Sequence, residues 1–113
     1  MQKIIISGMR QLLDAETANS EDTAKTLSTL GFTVSRAAGA EGGNDRPIDQ
    51  AIIYVGTNDI RMGKGAITTS LGVLVEAGDV IHLQSAKEII DTKFISAVAG
   101  SHADLHVQAG FDN

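Results

Sequence analysis

The chain has no cysteine, a single proline and only four aromatic residues, Phe32, Tyr54, Phe94 and Phe111, among 113. Without cysteine there is no disulfide scaffold, no thiolate zinc site and no cysteine nucleophile. Positive charge is also scarce: nine Lys and Arg stand against 14 Asp and Glu, a formal net charge of −5. That balance argues against a non-specific grip on nucleic acid, which needs a basic field. No apolar run approaches the roughly 18 residues of a membrane-spanning helix. Lys3 followed by Ile4, Ile5 and Ile6 is too short for a signal-peptide core. The expectation is a protein made and kept in a reducing cytoplasm, or assembled there into something larger.

What the chain does have is glycine, 12 in all, and an ordinary share of apolar residues, 42%. The length suits one domain spanning 1–113 with a core that needs no metal or disulfide. With so few aromatics that core is built of Ile, Val, Leu and Ala. Glycines at 8, 31, 56, 72, 78 and 100 fall at the ends of short β-branched runs, which points to turns between strands. Strands are expected at 2–7, 31–38, 48–55, 72–76, 80–83, 92–99 and 103–109. Residues 39–47 form a loop, 60–70 a β-hairpin or excursion, and 85–91 a connector with room for one helical turn. Residues 12–30 stay open between two helical stretches and a strand–loop–strand (11–14, 15–23, 24–30). Turn signals about every eight to twelve residues are the mark of an all-β sandwich or barrel. The expected fold is therefore an antiparallel, jelly-roll-like β-sandwich with one short helix at most. Residues 31–113 form its core and 1–30 an N-terminal strand or arm.

Candidate chemistry is sparse. In His102-x-Asp104-x-His106, residues two apart on a strand share a face. Two imidazoles and a carboxylate could then converge on a metal, with His82 from a neighbouring strand. The competing reading, the solvent face of a strand, outweighs it. Six residues separate Gly56 from the Gly63-Lys64 pair, and Gly65 follows, so the segment fails the phosphate-loop spacing. No Gly-x-Ser-x-Gly elbow is present. Glu16, Glu21 and Asp22 lack the spacing of a calcium loop. Arg10, Arg36, Arg46 and Arg61 are scattered. No catalytic residue and no cofactor are expected, which shifts weight to a structural or binding module.

The second half carries a pattern. Ile52-Ile53-Tyr54-Val55-Gly56 is followed by Gly72-Val73-Leu74-Val75-Glu76-Ala77-Gly78-Asp79, then Asp91-Thr92-Lys93-Phe94-Ile95, then Ala103-Asp104-Leu105-His106-Val107. This order resembles a small β-sandwich of tailed-bacteriophage virion proteins: capsid decoration proteins, head fibres, and neck or tail-associated subunits. The resemblance covers 31–111. It departs from the pattern in the longer segment between Ile60 and Gly72 and in the N-terminal third. It implies packing and turn roles, not catalysis. Phe32, Val34, Tyr54, Val55, Ile81, Leu83, Phe94, Ile95, Leu105 and Val107 would supply core faces. Gly56 would turn the chain, and Leu74 and Gly78 would frame a hairpin. The implied protein is a non-enzymatic virion subunit, a homo-oligomer with trimers among the candidate states. It would bind its own copies and the major capsid protein, and neither nucleic acid nor membrane. Two alternatives remain. One is a ferredoxin-like β-α-β-β-α-β phage enzyme with helices in 12–30 and 64–77 and a nucleotide-type ligand. The other is an inhibitor directed at a host protein.

Overall fold

A computed structural model of the chain describes residues 11–12, 14–36 and 46–111. The expected strand at 2–7 and most of the loop at 39–47 lie outside the described residues. The elements are β1 (Gln11–Leu12), β2 (Glu16–Asn19), β3 (Lys25–Thr26), β4 (Ser35–Arg36), β5 (Arg46–Pro47), β6 (Gln50–Gly56), β7 (Ile60–Gly63), β8 (Val73–Val75), β9 (Val80–Leu83), α1 (Ala86–Asp91), β10 (Lys93–Ser96) and β11 (Asp104–Phe111). All pairings are antiparallel. One sheet runs β2–β11–β6–β9, with β1 also on β11; the other runs β3–β10–β7–β8; β4 and β5 form a small ribbon. The protein is an all-β sandwich with one short helix.

The two sheet orders correspond strand for strand. β2 leads into β3, β6 into β7, β8 into β9 and β10 into β11, and each connection crosses between the sheets. The registers Asn19↔Asp104, Asp104↔Gly56 and Tyr54↔Val80 bring these four connections to one end of the sandwich. The 76–79 turn is thus an arch between sheets. It is not the hairpin expected around Leu74 and Gly78, because β8 pairs with β7 and β9 with β6. Gly78 still makes the turn, at φ 98°, and its N–H donates to Val55 O.

Alternation decides what is buried. Ala51, Ile53 and Val55 on β6, Leu105, Val107, Ala109 and Phe111 on β11, and Ile81 and Leu83 on β9 face inward. They meet Ile60, Val75 and Phe94 from the second sheet, and Leu27, Phe32, Ile48 and Ile89 close the sides. Ile89 comes from α1, whose start is a Ser85-x-x-Glu88 capping pattern. The Ser85 hydroxyl accepts from Glu88 N–H at 3.1 Å, and Glu88 Oε1 accepts from Gln84 N–H at 2.8 Å.

Several expectations need correction. No helix lies in 12–30 or 64–77 among the described residues, so the ferredoxin-like order is not formed. The expected polar loop at 15–23 contains β2 instead. An edge strand needs only one inward apolar residue, here Ala18, so its Glu-Thr-Ala-Asn sequence hides it. The strand expected over 24–30 stops after Thr26, where a turn closes with Phe32 N–H donating to Leu27 O. Of the strand expected over 31–38, residues 37 and 38 lie outside the described residues, and among the others only Ser35–Arg36 are in a strand, although Phe32 is buried and Val34 packs against the core. Arg46 and Pro47, expected in a loop, pair with Arg36 and Ser35. Tyr54 lies in the central strand, but its side chain faces outward. Leu74 is exposed as well. Ile95 is buried, but outside the main core cluster. It lies with Ile67 beside a shallow hollow where residues 67–69 cross the second sheet.

One buried polar contact joins the sheets. Ser20 follows β2, Ser96 ends β10, both are fully buried, and their hydroxyls lie 2.7 Å apart. Ser20 Oγ also accepts from Ala103 N–H at 2.8 Å. Alanine at Ser20 would strand that buried N–H, so Ser20→Ala should cost about 1–3 kcal/mol. The measure is the urea midpoint, with the denaturant slope unchanged.

Candidate functional site

Sheet edges are where β proteins either guard against pairing or use it. Among the described residues this sandwich has four, with β1 and β2 sharing one side of β11. β2 carries Glu16, Thr17 and Asn19, β3 carries Lys25, and β9 carries His82. The fourth, β8, is Val73-Leu74-Val75 and carries no polar side chain. Val75 points into the core, but Val73 and Leu74 are 65% and 47% exposed, and Leu71 just before them is 61% exposed. The approach to this edge is itself held in place. Arg61 donates from Nε to Thr69 O at 2.8 Å and from Nη1 to Gly72 O at 3.0 Å. Its guanidinium therefore braces the long 64–72 segment, so Leu71 is presented by an ordered loop. Sequence reasoning placed Leu74 in a hairpin and missed this edge. The signal available was the absence of any charge or proline from 71 to 75.

A second feature lies on the outer face of the first sheet. Tyr54 on β6 stands opposite His106 on β11, with ring centroids 5.7 Å apart and planes tilted by 50°. The Tyr54 ring lies along its own strand toward Gly56. A Cβ at Gly56 would come within 3.3 Å of Tyr54 Cε1, so the glycine leaves the ring its room. Around the two rings is a concavity of about 330 Å³ whose lining includes Ile52, Thr17, Glu16 and Gln108. The Thr17 hydroxyl is 3.3 Å from His106 Nδ1. Glu16 is engaged elsewhere, accepting from Thr33 N–H at 2.8 Å and from Thr33 Oγ1 at 2.9 Å.

The third feature is the end where the sheets are joined. Its connections, 20–24, 57–59, 76–79 and 97–103, carry Glu21, Asp22, Asp59, Glu76 and Asp79 and no Lys or Arg. Three of these acids cap turns. Asp59 Oδ1 accepts from Ala77 N–H, Asp79 Oδ2 from Glu76 N–H, and Asp22 Oδ1 from Gly100 N–H. Thr57, left-handed at φ 75°, donates from Oγ1 to Asp104 Oδ2 at 2.8 Å. A β-branched residue in that region is strained, and the hydroxyl bond holds it there.

The histidine–aspartate candidates do not converge. β11 begins only at Asp104, so His102 lies before the strand, with Nε2 3.1 Å from Asp22 Oδ1. Asp104 is taken by Thr57, His106 stands with Tyr54, and His82 lies between Gln50 and Gln84. Among the described residues no three His, Asp or Glu side chains are grouped to hold a metal ion. Glu16, Glu21 and Asp22 are likewise separate: Glu16 holds Thr33, Glu21 is 3.9 Å from Lys25, and Asp22 meets His102. The segment from Gly56 to Lys64 is occupied by a turn and β7 rather than a phosphate loop.

No family model, no curated protein and no solved structure matches this chain. The site must be read from its own chemistry. No helix among the described residues is long and apolar enough to cross a membrane.

The Asp22 contacts set a pH dependence. The Gly100 N–H donating to its carboxylate holds Asp22 below the ordinary aspartate value of 3.8; partial loss of water opposes this, and His102 adds to the lowering. A carboxyl lowered in the folded state stabilises it above the unfolded value and loses that effect as pH falls through the folded one. Asp22→Asn should therefore flatten the fall in stability below about pH 4 relative to the parent. Urea midpoints measured between pH 2.5 and pH 7 would check it.

Proposed function

We propose that this chain is a structural subunit of a tailed-bacteriophage particle, a capsid decoration or head-associated protein that works by protein–protein contact. The observation that carries the reading is the bare apolar edge at β8. An edge strand free of charge, proline and bulge is a template for pairing with another chain, and the other three edges of this sandwich are dressed with polar side chains. The motif runs add support, since they fall on β6, on β8 and its arch to β9, on the entry to β10, and on β11. The partner is another copy of this chain or a neighbouring capsid protein.

Three exposed side chains cannot supply the roughly 1,600 Å² of a standard interface. The edge would therefore act as the register-setting part of a broader contact that includes the braced 64–72 loop. Repetition over a lattice then multiplies modest contacts.

Size-exclusion chromatography with light scattering tests the reading. The parent should run as a multiple of the single-chain mass, and Leu74→Lys should shift it toward the monomer with an unchanged circular dichroism spectrum. Co-sedimentation with emptied phage particles should be lost in the same variant. A parent that stays monomeric at high concentration and ignores particles would overturn the reading.

A further inference from the structure

Three of the four aromatics, Phe32, Phe94 and Phe111, are buried in the core; Tyr54 is 42% exposed and lies in a concavity. Surface placement of an aromatic is unremarkable alone. Here it coincides with a second ring, a hollow of ligand size, and side chains that hydrogen-bond at its rim. A volume of about 330 Å³ is at the small end of ligand pockets.

Charge narrows what could fit. Among the described residues no Lys or Arg lines the hollow, so they offer no counter-ion to a phosphate or another anion. The one carboxylate among its described lining residues, Glu16, is already bound by Thr33 through both oxygens, so it is not held ready for a cation. What remains is a neutral partner with an apolar face and hydroxyls at its edge. Tyr54 Oη and His106 Nε2 make no hydrogen bond among the described residues, and the Thr17 hydroxyl can both donate and accept. The two tilted rings and Ile52 offer an apolar floor, with polar atoms around it.

We propose that the Tyr54–His106 hollow binds a neutral saccharide. One C–H face of a pyranose ring stacks on Tyr54, and its hydroxyls bond to His106 and Thr17. This site lies on the outer face of the first sheet, away from β8 on the second, and the proposal does not depend on the assembly reading.

Tyr54 is the sole tyrosine and there is no tryptophan, so intrinsic tyrosine emission reports on this one side chain. The intact chain would be titrated with four neutral disaccharides: maltose, cellobiose, lactose and diacetylchitobiose. At least one should change the emission saturably, with a Kd in the millimolar range suited to a shallow, open site. By calorimetry or NMR, Tyr54→Ala should weaken binding at least about tenfold, and Tyr54→Phe, which keeps the ring face, only a few-fold. His106→Ala should weaken it by a similar tenfold, since it removes both a floor ring and a hydrogen-bonding edge. No response to any of the four at about 50 mM, well above the expected Kd, would overturn the proposal. So would undiminished binding by folded Tyr54→Ala. Emission that follows protein concentration and ignores every sugar would mean that a second copy covers the hollow, and would overturn it too.

Discussion

Phe94→Ala is expected to lower stability by about 3–5 kcal/mol. Phe94 sits in the middle of β10 with no exposed surface, opposite Met62 on β7 and Lys25 on β3. Its ring is among the largest fully buried side chains in a core otherwise made mostly of Ile, Val, Leu and Ala. Truncation removes that transfer free energy and leaves a cavity in the layer between the sheets, where hydrogen-bonded strands restrict collapse. Total stabilities of small domains are about 5–15 kcal/mol, so the variant should sit near the edge of folding. Equilibrium urea unfolding by circular dichroism gives the number. Tyr54→Ala is the contrasting case. That side chain is on the outer face, and its loss should change stability by no more than about 1 kcal/mol. A large effect at Tyr54, or a small one at Phe94, would contradict the inward and outward assignment of the two strands.

A proline at Val107 should abolish the native fold altogether. β11 is the hub of the first sheet. Val107 is paired with Ile53 on β6 on one side and Glu16 on β2 on the other. Proline removes a ladder donor and sterically disrupts a strand that has neighbours on both sides. The side chain is also buried, so the ring must be accommodated inside the core. The expected result is loss of the sheet circular dichroism signal and of any cooperative thermal transition. The natural proline makes the comparison. Pro47 sits in the β4–β5 ribbon, where Ser35 is its partner and no third strand joins among the described residues.

The strands that were legible in the sequence are those with several inward residues. The alternation of Val80 to Leu83 matches β9 residue for residue, and that of 103–109 places β11 within two residues at its far end. β2 was hidden because its inward side carries a single apolar side chain, Ala18. The outward face of Tyr54 was hidden for the opposite reason. Ile52-Ile53-Tyr54-Val55 is apolar without a break, so the run has no visible parity, and only pairing with the alternating β11 assigns its faces. The metal candidate depended on extending β11 back to His102. The 97–103 connection instead ends on Asp22, a residue 80 positions away whose role no local pattern could disclose. The bare edge needed a topology. A short apolar strand in a sequence says nothing about whether it has one neighbour or two.

The crossing connections have a consequence for the order of events in the cell. Among the described residues of the first sheet no strand pairs with the next one along the chain; β6 pairs with β9 and β11, and β1 and β2 with β11. Among paired strands of the two main sheets, only β7 and β8 follow one another directly. Non-local pairing of this kind slows folding, because loop-closure entropy is lost before contacts repay it. It also means that a ribosome-bound chain lacking residues 104–111 holds β2 and β6 with unmatched edges. Such a nascent chain can form the second sheet and the β6–β9 pair, but not the β11 pairings that join β1, β2 and β6, until β11 clears the exit tunnel. Completion of the first sheet is then a late event, and the apolar β8 edge is formed on the one local hairpin, before the rest of the sandwich exists to carry it. An arrest series stalled before and after Phe111 should show protease resistance appearing in one step.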